Sequence, residues 1–281
     1  MIPTIFDRRI YALRRARGSE SFLVRDAAEG LAARLTAVTK RFEHGLDLSS
    51  RDESFAILKP FAANWTRTSL SGEGVVAEED ALPFAPESFD LVTSVLSLHA
   101  VNDLPGALLQ IRQVLKPDGL FLAALFGGET LSELGRAFAA GESDVAGGIS
   151  PRVAPFADVR ALGALLQRAG FALPVADSER TSVRYSKFET LVSDLRALGE
   201  TNALAERRKR FLPRAVLAAT LAHLQGADGK FPATFEIVTL TGWSPHESQQ
   251  QPLRPGSAKA RLADALGVVE KSAGESAKPL K

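Results

Sequence analysis

The chain is predicted to fold as an α/β domain, a mostly parallel sheet with helices on both faces. Three observations predict it. Strand-like and helix-like stretches alternate from His44 to Gly128, the signature of crossover connections between parallel strands. The run "FDLVTSVLSLH" (89–99) is almost continuously apolar, as a strand covered on both faces must be. A second such run, "LFLAALFGG" (120–128), follows after one helix and one turn.

Each element has its own signal. Ser19 to Phe42 reads as an amphipathic helix, with Leu31, Leu35, Val38 and Phe42 on one face and Ser19 as its N-cap. "GLDL" (45–48) is a short strand, and Phe55 to Ala63 a short helix around Pro60. "GVVAEED" (74–80) has a strand core and an acidic tip. "DLPGALLQIRQVL" (103–115) is a helix with Pro105 in its first turn, and "KPDG" (116–119) a turn. After Gly128 come a helix to about Ala140 and a flexible insert, "AGESDVAGGISPRVAP". A helix over 156–169 ends at Gly170, a C-cap residue. Segment 179–186 alternates like a strand, 187–198 and 205–224 are helices, and 230–243 is a long last strand. The expected organisation is an N-terminal helical extension (1–43), one domain (44–255) with a helical insert at about 187–225, and a loose tail (256–281).

Bulk properties exclude several classes. There are no cysteines among 281 residues, so disulfides, zinc–thiolate sites and thiol nucleophiles are ruled out. With four histidines, no metal site is expected. The formal charge is +1, which gives no global attraction to nucleic acid, and no apolar run is long enough to span a bilayer. The first 41 residues hold nine Lys/Arg against four Asp/Glu. This imitates an organelle presequence, but Asp7, Glu20, Asp26 and Glu29 interrupt it, and a cytoplasmic protein is expected.

Four stretches carry a resemblance: "IFDRR" (5–9), "EEDALPF…FGGETLSEL" (78–134), "PFADVRALGALLQRAGF" (155–171) and "TGWSPHESQQQPLRPGSA" (241–258). Together they resemble class I S-adenosylmethionine-dependent methyltransferases. More narrowly they resemble the complex I assembly factor 5 group and its alphaproteobacterial relatives; the malonyl-carrier-protein methyltransferase of biotin synthesis is a more distant likeness. The resemblance implies a Rossmann-like seven-stranded sheet with its last strand antiparallel. It also implies S-adenosylmethionine as cofactor and a complex I subunit as partner, with an arginine of that subunit hydroxylated. Small-molecule or carrier-protein O-methylation is one alternative; a non-catalytic assembly factor is another.

The family loop would read Leu-Asp-Leu-Gly-x-Gly-x-Gly. This chain keeps Leu46, Asp47 and Leu48 and continues Ser49-Ser50-Arg51-Asp52-Glu53. Added Cβ atoms crowd a ligand, and Asp52 and Glu53 repel its carboxylate. One reading is a helix start closed by its own capping box, Ser50 as N-cap and Glu53 at the third position. The other is a rebuilt cradle of Asp47, Ser49 and Arg51, with Arg51 on a carboxylate. No acid stands where the ribose hydroxyls would be held, and Glu73 comes too late. By resemblance Glu79, Asp80 and Ala81 bracket adenine, and Leu96 and Ser97 complete the cofactor site at the end of the next strand. His99 is the candidate general base, or an ordinary hydrogen-bonded histidine. Asn102, Glu129, Trp243, His246 and Glu247 are the candidate substrate residues. Thr130 reads as a helix cap, and the basic run 207–210 as a solvated helix face.

Overall fold

In the computed structural model, residues 4–72, 74–250 and 267–268 are described. The chain divides into one compact unit, Met1–His246, and a second, Glu247–Lys281. The first unit begins with helices α1 (Arg8–Ala16) and α2 (Phe22–Ala37). Strand β1 (Phe42–Leu48), α3 (Asp52–Leu58), β2 (Ala62–Ser69) and the two-residue β3 (Val75–Val76) follow. Then come β4 (Phe89–Val95), α4 (Leu104–Val114), β5 (Leu115–Phe126), α5 (Ser132–Ala146) and α6 (Val159–Arg168). Strand β6 (Ala172–Tyr185), α7 (Phe188–Ala197), α8 (Arg214–Leu224) and β7 (Phe231–Trp243) complete it.

The seven strands lie in the order β3-β2-β1-β4-β5-β7-β6. β1, β2, β3, β4 and β5 pair in parallel, and β7 runs antiparallel to both β5 and β6. This is the expected sheet. Its alternation explains the unbroken apolar runs. Leu120, Leu122, Ala124 and Phe126 of β5 join one core, with α2, α5 and α7. Phe121, Ala123 and Leu125 join the other, with α4 and α6. From Leu120 to Phe126 neither face of β5 meets water, so no polar residue is needed between them.

Gly170 closes α6 as expected, but that helix, expected from 156, begins at Val159. Asp103 and Asp158 cap α4 and α6, accepting from the Gly106 and Ala161 amides at 2.9 and 2.8 Å. Gly170 sits at φ +80 just past α6, a backbone that only glycine adopts without cost.

Other expectations are corrected. The helix expected over 19–42 begins later, with Ser21 rather than Ser19 at its N-cap, and ends at Ala37 because β1 takes Phe42. Because α2 supplies Leu23, Leu31 and Leu35 to the core, it is a layer of the domain and not an appendage of residues 1–43. The 116–119 turn signal lies within β5, where the β4–β5 register shifts and Asp118 takes φ +60. α5 runs on to Ala146, through the first part of the expected flexible insert. Residues 205–213 are irregular, so the basic run 207–210 is loop and not helix. Glu73 and nearly all of the tail over 256–281 lie outside the described residues.

Leu108 of α4 is fully buried among strand residues of the second core. Leu108→Ala is expected to lower the unfolding free energy by about 2–5 kcal/mol, read by urea denaturation.

Candidate functional site

The parallel strands β1 and β4 end side by side, and at these ends an open α/β sheet receives ligands. Both ends carry a non-glycine residue in the left-handed region, Ser49 at φ +55 and Leu96 at φ +48. Such a conformation costs about 1–2 kcal/mol per residue. The Ser49, Leu96 and Val95 carbonyls converge on one cation, the Arg15 guanidinium of α1. Arg15 donates to Ser49 O at 2.7 Å and Val95 O at 3.2 Å, and also to Leu96 O. Its side chain is 9 % exposed.

Around Arg15 lies a buried polar cluster that sequence reasoning did not find. Tyr11 Oη donates to Glu200 Oε1 at 3.0 Å and accepts from Arg15 at 3.2 Å. Glu200 Oε2 is 3.2 Å from His99 Nε2, and that histidine side chain is 1 % exposed. Burial pushes the Glu200 carboxyl up, but His99, Arg15 and the Tyr11 hydroxyl outweigh it and hold it below its ordinary value. Burial, reinforced by Glu200, raises the Tyr11 phenol. His99 also packs against Phe126 and Phe156, with ring centroids 4.9 and 5.4 Å apart. Arg8, Tyr11 and Arg15 recur at helical spacing, which is the signal available in the sequence. Glu200 follows α7 with no motif around it.

The residues expected to hold a cofactor are mostly engaged by the protein itself. Glu79 is fully buried, accepting from Arg8 and Ser97. Arg8 also binds Glu78 at 2.6 Å and the Ala100 carbonyl at 2.9 Å. The Ala81 amide bonds the Glu78 carbonyl at 3.1 Å, and Gln110 braces Asp80 O and the Leu82 amide. Of the residues expected to bracket adenine, Glu79 and the Ala81 amide are thus engaged within the chain, and Asp80 is engaged through its backbone carbonyl.

Arg51 is directed at backbone carbonyls. It donates to Ser19 O at 2.6 Å and Ala197 O at 2.7 Å, and to Leu198 O. It therefore ties the end of α7 to the segment before α2. The capping box is not formed. Arg51, not Ser50, is the N-cap residue of α3, and its side chain makes no cap bond. Ser50 Oγ instead accepts from the Val95 amide at 3.2 Å, and Glu53 accepts from the Ser21 amide at 3.4 Å.

Asp47 is fully buried in β1. Burial pushes its carboxyl up to about 6, against the opposing pull of Ser50, Arg67 and Thr93. Arg67, near the end of β2, pairs with Asp52 at 2.7 Å and lies 3.4 Å from Asp47. Ser69, Leu70 and Ser71 stand where a ribose-holding acid was sought.

Two hollows open here. A polar cleft of about 550 Å³ is lined by Arg15, Ser49, Arg67, Ser69 and Ser71 among others. The buried Ser49 Oγ in it has no hydrogen-bond partner. An apolar cavity of about 230 Å³ lies beside Glu200, walled by Tyr11, Phe126, Phe156, Phe188 and Phe235.

The candidate substrate residues are scattered. Asn102 clamps the N-terminal segment, accepting from the Ile5 and Phe6 amides at 2.9 and 2.8 Å and donating to Phe6 O. Glu129 is exposed, its amide bonded to Glu236 at 2.9 Å. Trp243 pairs with Leu120, which is level with the start of β4. It therefore lies at the amino ends of the parallel strands, away from the site, half-buried against the core. The reason is the reversed direction of β7: its last residue lies at the edge opposite the carboxyl tips. His246 follows Ser244, which bonds Asp118 and Gly119 at that same edge. Glu247 opens the second unit.

S-adenosylmethionine, implied by the resemblance, does not fit these residues. Its cationic centres need acceptors, and the strand-tip carbonyls already hold Arg15. Its carboxylate would meet Asp52 and Glu53 in the first turn of α3. The Ala81 amide is spent on Glu78.

Comparison with known proteins follows the fold. A family described as "Methyltransferase domain" matches residues 29–123. The mitochondrial arginine-hydroxylase NDUFAF5 of Danio rerio is 42 % identical over 205 residues, 72 % of this chain and 64 % of the relative. The malonyl-[acyl-carrier protein] O-methyltransferase of Xylella fastidiosa (strain M23) is 37 % identical over 174 residues, 61 % of this chain and 57 % of the relative. The chain thus spans less than two thirds of either curated relative. The YcgJ protein from Bacillus subtilis superposes with a TM-score of 0.54 at 14 % identity, over 78 % of this chain and 99 % of that one; this shows the fold alone.

The raised Asp47 carboxyl has a signed consequence. Its folded value, about 6, lies above its unfolded 3.8. Its stabilising contribution is therefore complete below pH 3.8 and lost as pH rises through 6. Asp47→Asn is expected to gain stability relative to the wild type between pH 4 and pH 7, by up to about 3 kcal/mol, measured by urea denaturation at each pH.

Proposed function

The chain belongs to the class I S-adenosylmethionine-dependent methyltransferase-fold family, in the NDUFAF5 group, and on that premise we propose that it is a complex I assembly factor that engages an arginine of a partner subunit. The observation that carries this reading is the apolar cavity beside Glu200. A guanidinium stacks on aromatic faces and pairs with carboxylates. The cavity offers several aromatic rings and one buried carboxylate. Glu200 meets Tyr11 and, at 4.0 Å, Arg15 on one oxygen and His99 on the other, and a carboxylate has about four lone-pair sites, so it can accept further. In this reading Glu200 holds the guanidinium, Tyr11 and His99 hold Glu200, and the phenylalanines exclude water. His99 acts through Glu200 and not as a free base.

Arginine modification comes from the printed name of the Danio rerio relative. A second reading, a docking factor without catalysis, is favoured by the strand tips, whose carbonyls are engaged by Arg15. Carrier-protein O-methylation, as named for the Xylella fastidiosa relative, would need the cofactor that these residues do not fit. The compartment in this reading is the cytoplasm; the Danio rerio relative is mitochondrial by name. Among the described residues no helix is long and apolar enough to cross a membrane.

A deletion strain tests the assembly role: its membranes are expected to lose NADH oxidation, and normal oxidation would sink that role. Peptide mass spectrometry of complex I from both strains tests the chemistry. One arginine is expected to lose the mass of one oxygen in the deletion strain. Identical arginines in the two strains would leave the docking reading.

Complementation with Glu200→Gln is expected to restore less than about a tenth of the NADH oxidation, the loss of one charge-assisted contact being about 1.5–3 kcal/mol. Full restoration by a well-expressed variant would remove Glu200 from the site.

A further inference from the structure

We infer that the carboxyl tips of β1 and β4 form a guanidinium site, that the chain fills it permanently with its own Arg15, and that S-adenosylmethionine is thereby excluded from the tips. This goes beyond the proposed function and does not rest on it.

Three features carry the inference. First, the acceptors converge. Three carbonyls from two strands, Ser49, Val95 and Leu96, take hydrogen bonds from one planar cation, and Tyr11 Oη takes a fourth. A fork of donors matches such a set, whereas an ammonium is a point charge.

Second, the backbone is bent to make the set. Ser49 and Leu96, the residues just past β1 and β4, both take positive φ without being glycine. Strain of this kind persists only where its surroundings enforce it. Both strained residues present their carbonyl to Arg15.

Third, the donor is held in place. Tyr11, on the same helix, is 1 % exposed and packs with Phe6, Ala203 and Leu204. Arg8 of α1 is bound to Glu78, Glu79 and Ala100. Asn102 clamps Phe6, and Arg207 binds Asp7 at 3.0 Å. Removing Arg15 would mean undocking the whole segment from residue 5 to residue 17. An incoming cation competes with a covalently tethered one and loses.

The test has two arms. In the first, wild-type protein is titrated with S-adenosylmethionine by calorimetry. No binding at millimolar ligand is expected; micromolar binding would overturn the exclusion, whatever the variants do. In the second, Arg15→Ala is made and its melting followed. Loss of the charged hydrogen bonds is expected to lower Tm by about 5–10 °C. Methylguanidinium chloride at 20 mM (roughly a hundredfold below denaturing use, in the molar range) is expected to restore about half of that loss. Sodium chloride at the same concentration is expected to restore none. A wild-type-like Tm, or no rescue beyond the salt control, would overturn the guanidinium site.

Arg15→Lys keeps the charge without the fork and is expected to stay folded with part of the Tm loss. If Arg15→Ala yields no folded protein, methylguanidinium is added to Arg15→Lys instead. No gain there would count against the site.

Discussion

The structure of the functional edge depends on one constraint: buried carbonyls at the end of a parallel sheet must be satisfied. In most open sheets a ligand, a loop or water does this. Here the first helix does it, through Arg15. Once that guanidinium is buried, its surroundings follow. A buried cation calls for a nearby carboxylate, and Glu200 lies 4.0 Å away. Glu200 in turn is bonded by Tyr11 and paired with His99, because a lone buried carboxylate would cost several kcal/mol. The same logic repeats beside it, where buried Glu79 is neutralised by Arg8. Two arginines of one helix thus face two carboxylates at the edge, Glu79 and Glu200.

This arrangement changes what the loop after β1 is for. With its glycines absent, the loop reads as a damaged cradle. In the fold its residues are structural parts: Ser50 bonds Val95, Arg51 ties three carbonyls, and Glu53 holds the start of α2. The sheet is of the methyltransferase type, and its carboxyl edge carries the chain's own Arg15. What stays hollow is a polar cleft around Ser49 and Arg67 and an apolar cavity beside Glu200.

The sheet was legible because its signals are local. Apolar runs, Pro105 and Gly170 each act on the nearest few residues: Pro105 lies in the first turn of α4 and Gly170 takes φ +80 after α6. The candidate site was less legible because it is made by pairs far apart in the chain. Tyr11 and Glu200 are 189 positions apart, and Arg15 and Leu96 are 81 apart. Nothing near Glu200 announces a buried carboxylate. Trp243 was misplaced for a topological reason: the direction of the last strand decides at which edge its end emerges, and the sequence "GWSPHES" carries no mark of that edge. Arg51 was misassigned because a guanidinium serves backbone carbonyls as readily as carboxylates.

The pairing of Phe6 with Leu204 has a consequence for how the chain is made. The segment from Phe6 to Arg15 is synthesised long before two of the residues it docks onto, Glu200 and Leu204. Arg8 needs residues 78–100, and Tyr11 needs Glu200. At about 5–20 residues per second, nearly two hundred residues take roughly 10–40 seconds to appear. Through that interval Tyr11 waits for Glu200, although the residues that hold Arg8 are made earlier. The segment's docking is completed only once Glu200 and Leu204 have been made.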